Sequence, residues 1–139
     1  MYLDTSAWVK LFVPEAESEE LDGALRGRGD LVVSDLTITE TVSALTRRSR
    51  AGSLSAGLAQ RLYNSILEQV ETGVYLRAEL SSKTHREAER LLLSMQSVPL
   101  RAGDALHLAL ALAAGARTMV TFDKRLAEAA RRVGLASFP

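Results

Sequence analysis

The sequence has no cysteine in its 139 residues. Disulfides and thiolate metal centres are therefore excluded, and nothing marks a redox compartment. No apolar run approaches the ~20 residues that a membrane span needs. The chain opens directly on a predicted strand, so no signal peptide is expected and the cytoplasm is the expected compartment. Net charge is also missing: 17 Lys plus Arg balance 17 Asp plus Glu. A surface coated in positive charge for nucleic acid is excluded, and any such binding must be local. What remains is an ordinary globular composition, 47% apolar and 24% charged, enough for a single domain over residues 1–139 with one core.

Two stretches organise the chain. Near the start, Tyr2-Leu3 stops at Asp4, two small hydroxyl residues follow, and a helical pattern begins with Ala7 and Trp8. Near the end, Thr118 to Phe122 runs into Asp123, and the helical run Lys124 to Arg132 follows. Strands that end in an acid and lead into a helix predict parallel strands whose carboxyl ends share one side of a sheet. In open α/β sheets that side holds the ligand crevice.

Between them, the pattern predicts a short helix around Trp8, Leu11 and Phe12, then a helix from Glu15 to Arg28 with acids early and Arg late. A strand follows at Asp30 to Val33. Ser34 or Asp35 is the expected cap of a helix from Leu36 to about Ala51, with the apolar stripe Ile38, Val42, Leu45. Ser55 opens a helix carrying Leu58, Leu62, Ile66 and Val70, closed by Gly73, and Val74 to Leu76 reads as a strand. Ser81 or Ser82 caps a helix whose inner face is Ala88, Leu91, Leu92 and Met95. Gly103 to Ala114 is apolar on nearly every face and should be buried. Leu135 to Phe138 closes the chain as a last short strand. Strands alternating with helices predict a parallel sheet covered on both faces.

Each acid has a plain reading of its own. Asp4 and Asp123 stand where helix caps stand. Asp104 suits the positive end of the Ala/Leu helix, though burial there invites a cation. Glu40 lies about 200° around its helix from Ile38 at ~100° per residue, away from the apolar stripe. A functional Glu40 needs that helix to bury two faces. Arg47, Arg48 and Arg50 suit a helix C-terminus, and can also meet phosphates. His107, three residues after Asp104, reads as a core or rim histidine with one hydrogen bond, and His85 as surface.

Taken together, these pieces resemble a known family. Leu3-Asp4-Thr5-Ser6, then Ser34 to Glu40 with Ala44-Leu45, then Gly103-Asp104-Ala105-Leu106-His107-Leu108-Ala109, then Val120 to Leu126 are similar, in order, to the PIN-domain family. The likeness is greatest to VapC toxins, the ribonuclease halves of type II toxin–antitoxin pairs. The resemblance implies a three-layer α/β/α fold, with about five parallel strands in the order 3-2-1-4-5. It implies a metal-dependent endoribonuclease using Mg²⁺ or Mn²⁺, with a cognate antitoxin as partner, and a homodimer built on the Glu40 helix and the helix after Ser55. Asp4, Glu40, Asp104 and Asp123 match the family's catalytic acids. Asp4 and Asp104 would be the principal metal ligands, with Glu40 and Asp123 acting directly or through water. Thr5, Ser6 and Thr121 would stand behind the ligands and orient them. Lys10, Arg47 and Arg48 are the candidate RNA contacts.

Oxygen-only ligands favour Mg²⁺ or Mn²⁺ over zinc, and four carboxylates in one crevice would repel each other without a cation. A haloacid-dehalogenase-like phosphohydrolase would want a second Asp where Ser6 stands, and a receiver domain an acidic pair after the first strand. The alternative outside catalysis is a PIN-like RNA- or protein-binding module whose acids are only caps.

Overall fold

A computed structural model describes residues 1–139. Its elements run β1 (Tyr2–Leu3), α1 (Thr5–Trp8), a 3₁₀ turn (Val9–Leu11), α2 (Ser18–Leu25), β2 (Val32–Ser34), α3 (Asp35–Arg50), α4 (Ala56–Glu71), β3 (Leu76–Ala78), α5 (Ser82–Ser94), α6 (Ala102–Ala113), β4 (Thr118–Val120), α7 (Lys124–Arg132) and β5 (Ala136–Phe138). The sheet order is β3-β2-β1-β4-β5 and every pairing is parallel. The expected fold class and strand order are both found. No helix is long and apolar enough to cross a membrane.

Strand periodicity divides the core between the two faces of the sheet. Tyr2, Val32 and Met119 face one layer with Leu91, Leu108, Leu110 and Leu126, from α5, α6 and α7. Their neighbours Leu3, Val33 and Val120 face the other, with Trp8, Leu21, Leu45 and Ile66, from α1 to α4. The central strand β1 is only two residues long, yet both its side chains are fully buried. The Ala/Leu helix α6 is buried along most of its length, as its composition requires.

Several boundaries differ from the sequence reading, each for a local reason. The helix expected from Glu15 forms only from Ser18, because Glu15 and Glu17 fold back onto Lys10 and the Ser18 hydroxyl caps the Glu15 N–H at 2.8 Å. It stops at Leu25, and Gly27 turns with φ +75°. The strand expected at Val74 to Leu76 starts later. The N–H groups of Gly73 and Val74 are used on the last carbonyls of α4, so pairing begins with Leu76 N–H to Leu31 O at 2.8 Å. On α5, Leu91 is buried but Leu92 is exposed, because the inward arc runs through Thr84, Ala88 and Leu91.

The α3 helix buries one broad arc: Thr37, Thr41, Ala44 and Leu45 follow at i, i+4, i+7 and i+8, with Leu45 in the layer of α4. Glu40 sits three residues after Thr37 and four before Ala44, so it lies at the edge of that arc. The separate second face expected for a functional Glu40 is not found; the width of a single buried arc brings it to the strand ends. Ser34 rather than Asp35 caps α3, accepting from Thr37 N–H at 3.1 Å.

Truncating Leu108, which is fully buried, should cost about 2–5 kcal/mol as Leu108→Ala. Leu93 is 75% exposed, and Leu93→Ala should stay within about 0.5 kcal/mol of the parent. Urea midpoints at constant m-value measure both.

Candidate active site

Because every strand is parallel, the carboxyl ends of β1, β2 and β4 open on one side, beside the heads of α3, α6 and α7. There lies a cavity of about 480 Å³ lined by Asp4, Thr5, Ser6, Glu40, Asp104, His107 and Asp123, with Arg47, Arg48 and Arg101. Four acids from four separate segments thus face one space.

Asp4 is 3% exposed and caps α1. Its Oδ1 accepts from Ala7 N–H at 2.9 Å and Ser6 Oγ at 2.8 Å, and its Oδ2 accepts from Thr121 Oγ1 at 2.6 Å. Burial still pushes its carboxyl above the ordinary aspartate value, although Thr121, Ala7 and Ser6 pull the other way. Ser6 Oγ also accepts from Phe122 N–H at 2.8 Å, and Thr121 Oγ1 from Asp123 N–H at 3.1 Å. The two hydroxyls therefore tie the ends of β1 and β4 together beneath the carboxylates.

Glu40 reaches the same space from α3, half-buried. Its Oε2 accepts a hydrogen bond from Thr5 Oγ1 and lies 3.0 Å from His107 Nε2. The His107 contact holds the Glu40 carboxyl below its ordinary value; burial opposes it and Thr5 adds to it. His107 itself is buried, and its Nδ1 lies 2.8 Å from Tyr2 Oη. A ring expected to make one hydrogen bond thus meets Tyr2 and Glu40 and, at 3.5 Å, Thr5 Oγ1. Burial pushes the Tyr2 phenol well above its ordinary range.

Asp104 and Asp123 are joined by a residue that the sequence reading passed over. Arg125 Nε meets Asp104 Oδ2 at 2.9 Å, and Nη2 meets Asp123 Oδ2 at 3.2 Å. Asp104 also accepts from Arg101 N–H at 2.8 Å, and Asp123 caps α7 through Arg125 N–H at 2.8 Å and Leu126 N–H at 3.2 Å. The four acids share a cavity but pair off within it. No group of three His, Asp or Glu side chains is arranged to hold an ion. The donor chemistry nevertheless fits a hard divalent cation, since every acid presents oxygen and a cationic guanidinium already lies across two of them.

Of the expected RNA contacts, Lys10 points elsewhere. Its Nζ is held by Glu15 and by Glu17 at 2.8 Å, 4.7 Å above the Phe122 ring. Arg48 pairs with Glu15, whereas the Arg47 and Arg101 side chains form no ion pair. Arg101 and Arg125 are local neighbours of Asp104 and Asp123, but Arg125 reaches Asp104 only because the heads of α6 and α7 meet, which no local spacing signals. His85 is exposed on α5 and does not line the cavity.

The sequence matches the PIN domain family profile over residues 1–132. It is 34% identical over 142 aligned residues to Ribonuclease VapC35 of Mycobacterium tuberculosis, covering 98% of this chain and 93% of that protein. Its fold is similar to that of the Mycobacterium tuberculosis VapC20 structure, described as a sarcin-ricin loop cleaving toxin. The TM-score is 0.72 at 18% identity, covering 92% of this chain and 93% of that one. It is also similar to the VapBC2 structure from Rickettsia felis bound to a promoter DNA fragment, with TM-score 0.70 and 16% identity over 99% and 96% of the chains.

The buried carboxylate makes a stability prediction with a definite sign. A raised folded-state value means that Asp4 favours the fold fully below its unfolded value of 3.8 and loses that contribution as pH rises. Asp4→Asn, which keeps a capping oxygen, should therefore melt higher than the parent at pH 7, by about 3 °C for each kcal/mol relieved. The gap should narrow as pH falls toward 4, read by thermal unfolding across pH without added metal. Asp104→Asn, which breaks the Arg125 pair, should show no such gain.

Proposed function

Since the chain belongs to the PIN-domain family, we propose that it is an endoribonuclease dependent on Mg²⁺ or Mn²⁺, acting as the toxin half of a toxin–antitoxin pair. The observation that carries the reading is the shared cavity of Asp4, Glu40, Asp104 and Asp123. Capping accounts for Asp4, Asp104 and Asp123 separately, but not for their meeting in one space with Glu40, which caps nothing. Full-length likeness to a ribonuclease supports the same reading.

Asp4 and Asp104 would hold the metal, with Asp123 and Glu40 close enough in the same cavity to act directly or through water. A bound ion would acidify a water and offset charge on the phosphodiester. The protein's own groups would do the rest. Glu40 orients the attacking water and takes its proton, with its Oε2 anchored by Thr5. Ser6 and Thr121 hold Asp4 in place. Arg47 and Arg101, at the rim without ion pairs, are the side chains best placed to meet RNA phosphates, with Arg48 beside them. Arg125 would have to release Asp104 and Asp123 as the metal enters.

A histidine-pair mechanism, in which the RNA 2′-hydroxyl attacks, lacks its second partner, because only His107 reaches the cavity. Water attack on phosphorus leaves 5′-phosphate and 3′-hydroxyl ends. For partners, we propose a twofold homodimer through α3 and α4, with an antitoxin helix in the remaining apolar groove. That groove, about 230 Å³, is lined by Val42, Leu45, Ala56, Ala59 and Tyr63 among others. A monomer by light scattering at high micromolar concentration would remove the dimer.

The reaction is tested by mapping the ends of cleaved bulk transfer RNA and ribosomal RNA. EDTA should abolish cleavage and Mn²⁺ restore it. Asp4→Asn and Glu40→Gln should each lose about 100-fold or more in kcat. A 2′,3′-cyclic phosphate that survives purification would sink the metal–water mechanism, and intact RNA under all conditions would favour the binding-module alternative.

A further inference from the structure

Beneath Glu40 runs a buried line of hydrogen bonds that the catalytic reading does not use. Thr37 N–H donates to Ser34 Oγ at 3.1 Å, Ser34 Oγ lies 2.8 Å from Tyr2 Oη, and Tyr2 Oη lies 2.8 Å from His107 Nδ1. His107 Nε2 then lies 3.0 Å from Glu40 Oε2. Ser34, Thr37 and Tyr2 are 0% exposed and His107 is 4% exposed. Solvent has no part in choosing where these protons lie.

The directions follow from the ends. A carboxylate oxygen only accepts, so Nε2 must carry a proton. In the neutral ring Nδ1 is then a bare acceptor, and the Tyr2 hydroxyl must donate to it. Tyr2 Oη keeps an acceptor site toward Ser34 Oγ at 2.8 Å. Ser34 Oγ accepts from Thr37 N–H and also lies 3.0 Å from Thr37 Oγ1, which donates to Leu3 O at 3.2 Å. The bond at Glu40 is what selects the tautomer: in a neutral ring the other one would leave Nε2 and Oε2 as two acceptors facing each other at 3.0 Å.

Both protein donors to Glu40, Thr5 Oγ1 and His107 Nε2, go to Oε2. Oε1 takes none and lies over the head of α6, where a Cβ added at Gly103 would come within 3.4 Å of it. The carboxylate is thus tied by one oxygen and bare at the other, beside Asp104.

We propose that His107 is the positioning residue for Glu40: the Tyr2 hydroxyl at Nδ1 and the carboxylate at Nε2 hold the ring in its Nε2–H form, so that Glu40 is anchored through Oε2 and presents Oε1 to the reacting water. The proposal rests on the endoribonuclease reading for what Oε1 acts on, but not for how the ring is held. A residue that only filled space would not need its hydroxyl support, and its loss would change stability rather than turnover.

The test uses the full chain with Mn²⁺ and bulk transfer RNA. His107→Leu keeps apolar bulk and removes the donor. His107→Gln can return an amide N–H near the Nε2 position. Tyr2→Phe keeps the ring packed against His107 and removes only the hydroxyl. His107→Leu should lose about 10–100-fold in kcat with KM little changed, and His107→Gln should recover most of it. Nitrogen-15 spectra of histidine-labelled protein, taken without metal or RNA, should report an Nε2–H ring in the parent and a mixture of tautomers in Tyr2→Phe. An Nδ1–H ring in the parent overturns the proposal. So does parental turnover in His107→Leu, or a loss that His107→Gln does not recover. If His107→Leu fails to fold, Tyr2→Phe carries the kinetic arm and parental kcat there overturns the proposal. If the parent leaves RNA intact, the ribonuclease reading fails by itself and the ring-nitrogen measurement decides how Glu40 is held.

Discussion

A carboxylate buried at the end of the central strand is the constraint around which this site is built. Asp4 stands where water is excluded, and an ionised group there is costly unless donors surround it. Ser6, Ala7 N–H and Thr121 supply them. Ser6 and Thr121 also accept from the backbone just beyond β4, so the bonds that solvate Asp4 pin two strand ends together. Asp123 arrives beside Asp4 as a consequence. Local electrostatics and sheet geometry are here one arrangement: loosening the hydroxyls would free the strand ends as well as strand the charge.

The other three acids are handled by division. Glu40 is answered by Thr5 and His107, and Asp104 and Asp123 by one guanidinium. That is how four acids can line a single cavity without all repelling one another, and why they do not form a three-ligand cluster as they lie. Arg125 also gives the cavity a positive group that a metal would have to displace. Binding of such an ion would therefore exchange one cationic partner for another, at sites that the fold has already brought near.

Helix α3 links the site to the outside of the molecule. Its buried arc runs from Glu40 through Thr37, Ala44 and Thr41 to Leu45, which packs in the layer of α4. An arc that broad leaves the helix little freedom to rotate, so Glu40 inherits its placement from the packing of its neighbours. The apolar groove between α3 and α4 begins on the same helix at Val42, two residues beyond Glu40. Whatever settles in that groove rests on the element that holds a catalytic acid.

The sequence by itself determined the layer architecture, because the periods of its apolar residues dictate strand or helix segment by segment. It also determined which acids end strands and head helices: Asp4, Asp104 and Asp123 are legible from the punctuation around them. Glu40 was legible only conditionally, since its place depends on how far round α3 the burial extends. Boundaries at Ser18 and Leu76 escaped because they depend on side chains and carbonyls of the preceding element. The tertiary structure alone decided the company these acids keep. Arg125 lies on Asp104 across the junction of two helix heads. Tyr2, Ser34 and His107 meet over separations of 32 and 105 residues in the chain. Local propensity acts over a few residues, whereas a buried polar group must find its partner wherever packing brings one. The protonation and aim of the site are therefore properties of the folded core, not of any stretch of sequence.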